Sequence, residues 1–191
     1  PIPDDRGQRF VAWVVEQGIE VVVFDMDQTM SAGHCGDGLP REELTSYVLR
    51  ASTDFATAAM ALHRAPGIRL AVATGSDPVE YDLPGHSRAT HICGPDLATA
   101  VIEAWCPEAL PSFEIMIGFD SRLHGDRPED RGKRYHMRKI SEHYGVPFAR
   151  MLLIDDSKSS LENEDGWHGV LVRGKEGFRF EDCLAQASCG E

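Results

Sequence analysis

The 191-residue chain has no apolar run approaching the roughly 20 residues that cross a bilayer, and no secretory-type apolar segment precedes its first elements. A soluble, cytoplasmic protein is the expectation, and the proline at position 1 in place of a methionine leaves room for a missing leader. Positive charge is scarce: 19 Lys and Arg stand against 31 Asp and Glu, for a net charge of −12. Such a field repels nucleic-acid backbones and anionic membranes, so neither is an expected partner. It does not repel a small phosphorylated substrate, because a metal ion and one or two cationic side chains invert the potential locally. No C-x-x-C spacing occurs among Cys35, Cys93, Cys106, Cys183 and Cys189. Their odd number and scatter argue for a reducing compartment and against a disulfide framework. His34 beside Cys35, and His91 near Cys93, offer two ligands each where a structural zinc site needs four, so zinc is not expected. Repeats and low-complexity segments are also missing. The length suits one well-cored domain spanning residues 1–191; nothing in the sequence sets its oligomeric state.

What is present begins with VVVFDMDQT, Val21 to Thr29. A run that is apolar on both faces belongs in the middle of a parallel sheet covered by helices, and its carboxyl end lies where open α/β sheets bind ligands. Two acids placed there, Asp25 and Asp27, repel each other and lose hydration unless a cation shares the site.

Helical spacing marks Gln8 to Gln17, and Arg41 to Arg64 reads as helix broken near Ser52 to Asp54. A second strand runs from Ile68 to Thr74, followed by Gly75, Ser76 and Asp77; Pro78 to Thr90 is loop and Pro95 to Ala104 helix. Phe113 to Asp120 is the third strand, Ser121 to Gly132 loop, and Lys133 to His143 helix. Met151 to Ile154 is a strand ending in Asp155 and Asp156, and Gly169 to Val172 is a fifth. Strands alternating with helices predict an α/β three-layer sandwich with a central, mostly parallel Rossmann-like sheet.

Three strands therefore deliver Asp25 and Asp27, Thr74, and Asp155 and Asp156 to one sheet edge, with Lys133 opening a helix upstream of the last pair. A lone D-x-D is usually a solvated acid pair, and a threonine ending a strand is usually a helix cap; the ordered set is what carries weight. That set, D-M-D-Q-T, then Thr74, then Lys133, then L-L-I-D-D, resembles the four motifs of the haloacid dehalogenase (HAD) superfamily. The stretch KRYHMRKISEHYGVPFARMLLIDDSKSSLEN is further similar to its magnesium-dependent phosphatase group, and the motifs span Val21 to about Asn163. The resemblance implies phosphoryl chemistry, since dehalogenases of the superfamily lack the second acid that Asp27 supplies.

Roles follow from the residue types. Asp25 suits a nucleophile forming an aspartyl-phosphate, and Asp27 a general acid that then serves as base. Magnesium, a hard ion held by few carboxylates, is expected on the Asp25 carboxylate, the Asp27 backbone carbonyl and one of Asp155 or Asp156, with Asp156 favoured. Thr74, Gly75 and Lys133 are the expected phosphate-binding residues, with Arg134 as the substitute for Lys133. Ser76, Asp77 and Ser157 suit turns and caps equally well. Superfamily members usually carry a cap in one of two intervals; here Thr29 to Ile68 holds too little for a folded lid and Thr74 to Lys133 already contains a strand and helix that the core sheet needs, so the resemblance implies a capless or minimally capped domain. Tyr81, His86, Arg88, His124 and Arg127 lie in loops placed to overhang the site. The expected activity is a magnesium-dependent phosphomonoester hydrolase acting on a phosphorylated small molecule or protein. Alternatives are a phosphotransferase with the same covalent intermediate and a non-catalytic binding module.

Overall fold

A computed structural model of the chain describes residues 5–125, 127–162 and 165–187. Cys189 and Asn163 lie outside them. In chain order the elements are α1 (Asp5–Glu16), β1 (Val21–Phe24), β2 (Leu39–Pro40), α2 (Leu44–Val48), α3 (Thr53–His63), β3 (Arg69–Thr74), β4 (His91–Ile92) and α4 (Gly94–Trp105). They continue with β5 (Phe113–Gly118), α5 (Ser121–His124), α6 (Arg134–Tyr144), β6 (Met151–Asp155), α7 (Lys158–Leu161), β7 (His168–Leu171) and α8 (Phe180–Ala187).

All four residues of β1 are buried, as a strand with β-branched residues on both faces requires when neither face meets water. It pairs in parallel with β3 on one side and β6 on the other. Parallel β5 and β7 extend the sheet to the order β5-β3-β1-β6-β7. Successive strand residues point to opposite faces. Val22, Phe24, Leu70, Val72, Leu152 and Ile154 pack with Phe10 and Val14 of α1, Phe55 and Leu62 of α3, and Leu97 and Val101 of α4. Val21, Val23, Ala71, Ala73, Met151 and Leu153 pack with Met137 and Ile140 of α6. Three layers result. Phe24 anchors the first face, meeting Phe55 edge-on at 5.1 Å and Phe178 at 6.2 Å between ring centroids.

Several boundaries differ from expectation for local reasons. The break expected near Ser52 to Asp54 in the helix over Arg41 to Arg64 comes slightly earlier, at residues 49–52, where the Ser52 hydroxyl caps α3 by accepting from Phe55 N at 3.1 Å and donates to the Phe178 carbonyl at 2.5 Å. The third strand stops at Gly118 instead of Asp120, because Asp120 caps α5 by accepting from Arg122 N at 2.8 Å. The loop expected over 121–132 therefore holds α5 and a 3₁₀ turn at Pro128–Asp130. Lys133 is the residue before α6, not its first. A two-residue antiparallel ribbon of β2 and β4 joins the segment after β1 to the segment after β3, and among the described residues it is the sole sheet outside the core.

Gly118 is required by close approach. A Cβ there would lie 2.3 Å from the Ser76 carbonyl oxygen and 3.0 Å from Pro78 Cδ, both parts of a turn with little room to retreat. Gly118→Ala is expected to lower stability by about 1–3 kcal/mol, read as an earlier midpoint in urea unfolding; an unchanged midpoint would show that the turn yields freely.

Candidate active site

The strand order reverses between β1 and β6, the switch point at which such sheets bind ligands. Asp25 and Asp155 straddle it. Asp25 N donates to the Ile154 carbonyl at 2.9 Å, prolonging the ladder by one bond, after which Met26 O accepts from the N–H groups of Met30 and Ser31 at 3.0 and 3.2 Å. Gln28 takes a left-handed φ of 56° within that turn.

Lys133 crosses beneath this edge. Its Nζ lies 2.6 Å from Asp25 Oδ1 and 3.7 Å from Asp155 Oδ2, and donates to the Ala73 carbonyl at 2.7 Å. Asp25, Asp155 and Asp156 each bring one carboxylate oxygen within 4.8 Å of the others. Three carboxyl groups face one ammonium, so their full ionisation leaves an excess of two negative charges. Burial pushes the Asp25 carboxyl up to about 8 against the pull of Lys133, with Asp155 and Asp27 adding to the push. Burial and Asp155 also raise Asp156. Burial works against the Lys133 charge, but Asp25 and Asp155 outweigh it and hold the lysine above its ordinary range. Asp155 Oδ1 accepts from Ser157 N at 2.7 Å, while its buried Oδ2 has no hydrogen-bond partner among the described residues. An orphaned buried oxygen in an all-oxygen set with two surplus negative charges fits a hard divalent cation. The orphan sits on Asp155, which therefore faces such an ion no less than Asp156 does.

Asp27 is held by groups that no local pattern announces. Tyr47 Oη donates to its Oδ1 at 2.5 Å. Its Oδ2 meets His34 Nδ1 at 2.9 Å, Cys35 N at 3.0 Å and Cys35 Sγ at 3.1 Å. His34 and Cys35 are thus partners of a carboxylate. Burial, then Asp27, raise both Cys35 and Tyr47 well above their ordinary values, so both remain protonated donors.

The second strand contributes differently from the first. Thr74 is buried, and its Oγ1 accepts from Ser76 N at 3.1 Å, so the turn uses the hydroxyl as acceptor and leaves its proton to donate. Its carbonyl accepts from Phe119 N at 3.1 Å and from His136 Nε2 at 2.8 Å. A carbonyl partner requires the proton on Nε2, and burial with Lys133 nearby pushes His136 down to about 3, so the ring is neutral. Ser76 and Asp77 are turn and cap residues. Ser76 Oγ donates to Glu80 Oε2 at 2.9 Å, and Asp77 caps the 3₁₀ helix Pro78–Asp82. Asp77 Oδ2 also receives Asp120 N at 3.2 Å and lies 2.8 Å from His124 Nε2, tying the turn after β3 to the segment after β5.

A cleft of about 490 Å³ brings together Asp25, Asp27, Thr74, Gly75, Lys133, Asp155 and Asp156, every residue expected at the site. Its outer wall is not the one expected. Tyr81, His86, Arg88, His124 and Arg127 do not line it; His34, Asp37, Phe119, Asp120 and Arg122 do. Tyr81 and Arg88 fold back on Asp96 of α4, at 2.8 and 2.6 Å. Arg134 points to Asp165 at 3.6 Å, which leaves the inner position to Lys133.

Fold and site together define a doubly wound α/β protein with an acidic cleft at its topological switch point. The fold is like that of a solved structure described as HAD-like. No protein-family model matches the chain, and no curated protein matches it. Among solved structures, that of a candidate HAD-like phosphatase from Mesorhizobium loti is similar with a TM-score of 0.54 at 13% identity, over 87% of this chain and 85% of that one. L-2-haloacid dehalogenase from Xanthobacter autotrophicus matches with a TM-score of 0.41 at 14% identity, over 91% and 84%, too loose a likeness to weigh.

Proposed function

We propose that the chain is a magnesium-dependent phosphomonoester hydrolase that works through an aspartyl-phosphate on Asp25, with a phosphorylated small molecule or protein as substrate. The observation that carries this reading is the 2.6 Å contact of Lys133 with Asp25 inside the Asp25, Asp155 and Asp156 cluster. Lys133 orients Oδ1, while Oδ2 has no donor among the described residues and is free to attack. As the bond from Asp25 to phosphorus forms and the bond to the leaving oxygen breaks, Asp27 gives that oxygen its proton. Water then attacks phosphorus, Asp27 takes its proton back, and the bond to Asp25 breaks to release phosphate. Thr74 Oγ1, Gly75 N–H and Lys133 hold the phosphoryl oxygens. A magnesium ion on Asp25, Asp155, Asp156 and the Asp27 carbonyl would offset phosphoryl charge when bound. We read residues 1–191 as one domain of the cytoplasm: the four described cysteines are free and buried, and no described helix is long and apolar enough to cross a membrane. The charge of −12 supports neither nucleic-acid nor membrane partners.

The test is phosphate release from an aryl phosphate with magnesium and with a chelator, alongside intact-mass detection of a phosphoenzyme after acid quench. Turnover that survives chelation, or a quenched enzyme without phosphate during turnover, sinks the proposal. Tyr47→Phe supplies a finer check. It removes one hydrogen bond to Asp27 and keeps the buried ring, so kcat is expected to fall about tenfold while the melting temperature moves little. Equal kcat would remove Tyr47 from the machinery.

A further inference from the structure

Arg122, at the mouth of the cleft, takes no part in the reaction above, yet its geometry is specific. Its Nε lies 3.0 and 2.8 Å from the two carboxylate oxygens of Asp120, and its Nη2 lies 2.5 Å from Oδ2. Asp120 is 7% exposed, and its backbone N–H is held by Asp77 Oδ2. One edge of the guanidinium is therefore fixed to a buried anchor that is itself tied to the turn after β3. The other edge is loosely occupied. Nη2 reaches Asp37 Oδ1 at 3.2 Å from the opposite wall, and Nη1 has no partner among the described residues. The Asp37 side chain is 67% exposed, so this single contact is an exposed ion pair of small net worth. A guanidinium with a fixed orientation and a free fork is preorganised for a second planar or tetrahedral anion, which can take Nη1 and Nη2 together.

We infer that Arg122 selects phosphomonoesters whose leaving group carries a second anionic group, a carboxylate or a phosphoryl, and that this group displaces Asp37. The inference rests on the phosphatase reading above. Asp37 then acts as a competitor: its charge occupies the fork in the absence of substrate and leaves when the anion arrives.

The experiment compares kcat/KM for four aryl phosphates of matched leaving-group acidity bearing no further charge, a carboxylate, a second phosphoryl ester or a quaternary ammonium, using the full chain with magnesium. An anionic substrate is expected to exceed the neutral one by roughly tenfold, and whichever anion shows the preference identifies its source. Arg122→Ala is expected to bring that ratio near one. Asp37→Asn is expected to raise the ratio a few-fold when Arg122 is present and to leave it unchanged in the Arg122→Ala background, an epistasis that loss of fold does not mimic. A wild-type ratio near one, a preference for the cationic substrate, or a ratio indifferent to Arg122→Ala overturns the inference while hydrolysis itself stands. Absence of hydrolysis on all four substrates overturns the phosphatase reading and this inference with it.

Discussion

Asp25→Asn is expected to lower kcat on an aryl phosphate by about 10⁴-fold or more while melting no lower than the parent protein in the absence of metal. The two halves of that expectation have one cause. Asparagine keeps the shape and still accepts the Lys133 Nζ hydrogen bond seen at 2.6 Å, so the site's packing survives. It cannot form an acyl phosphate, so the covalent path closes. Burial, Asp155 and Asp27 make that carboxyl costly to ionise in the folded protein, a cost that asparagine does not carry. Magnesium should then raise the variant's melting temperature less than the parent's, because one of three carboxylates is gone. Phosphate-release kinetics and thermal melts with and without magnesium read both halves. Near-parental turnover sinks the nucleophile assignment, and a melting temperature many degrees below the parent's would trace the inactivity to misfolding instead. Asp27→Asn provides the contrast, since Asp25 can still be phosphorylated but the water of the second step loses its base, and phosphoenzyme should accumulate.

How much of this site shows in the sequence depends on whether the information is local. β1 is legible because burial on both faces demands an unbroken apolar run, and Asp25 follows it directly; the same holds for β6 and Asp155. Lys133 is only half legible. Its neighbours Arg134, Arg138 and Lys139 are equally cationic, and the sorting among them is tertiary: Arg138 goes to Asp130 at 2.6 Å, Lys139 to Glu142 at 2.8 Å and Arg134 to Asp165, while Lys133 alone of these four turns inward. Tyr47 is silent in the sequence, since it lies on α2, 20 positions along the chain from Asp27, and nothing periodic links them. The β2 and β4 ribbon is two residues on each side, shorter than any alternation can mark. Two of the loop residues misplaced over the cleft share one cause. Tyr81 and Arg88 have a nearer partner in Asp96, and the guanidinium stacks 4.4 Å above the Tyr81 ring, so their charge and aromaticity serve packing.

Lys133→Met is the second large effect, and its size depends on pH. The lysine is 6% exposed and contacts both Asp25 and Asp155; methionine preserves much of its bulk and none of its charge. Breaking such a buried pair from one side costs about 3–5 kcal/mol, because the carboxylates left behind have no counter-charge. Asp25 sets the pH window. Its folded value is raised to about 8 from an ordinary 3.8, so the folded protein holds a proton that the unfolded chain releases. Stability from that proton is fully present below about pH 4 and is lost as pH rises through about 8. Lys133 pulls Asp25 downward, so its removal moves the folded value further up and carries the loss on to higher pH. Metal-free Lys133→Met is therefore expected to melt below the parent at pH 5 and further below it at about pH 9, above the parent's Asp25 value. Magnesium binds the ionised carboxylates and should narrow the gap at the higher pH more than at pH 5. Turnover should stay low even then, since the side chain that orients Asp25 Oδ1 and faces the phosphoryl group is gone. Thermal melts of both proteins at the two pH values, with magnesium or a chelator, give the comparison. A gap that shrinks from pH 5 to about pH 9 in the absence of metal would mean that Asp25 does not govern the cluster's charge.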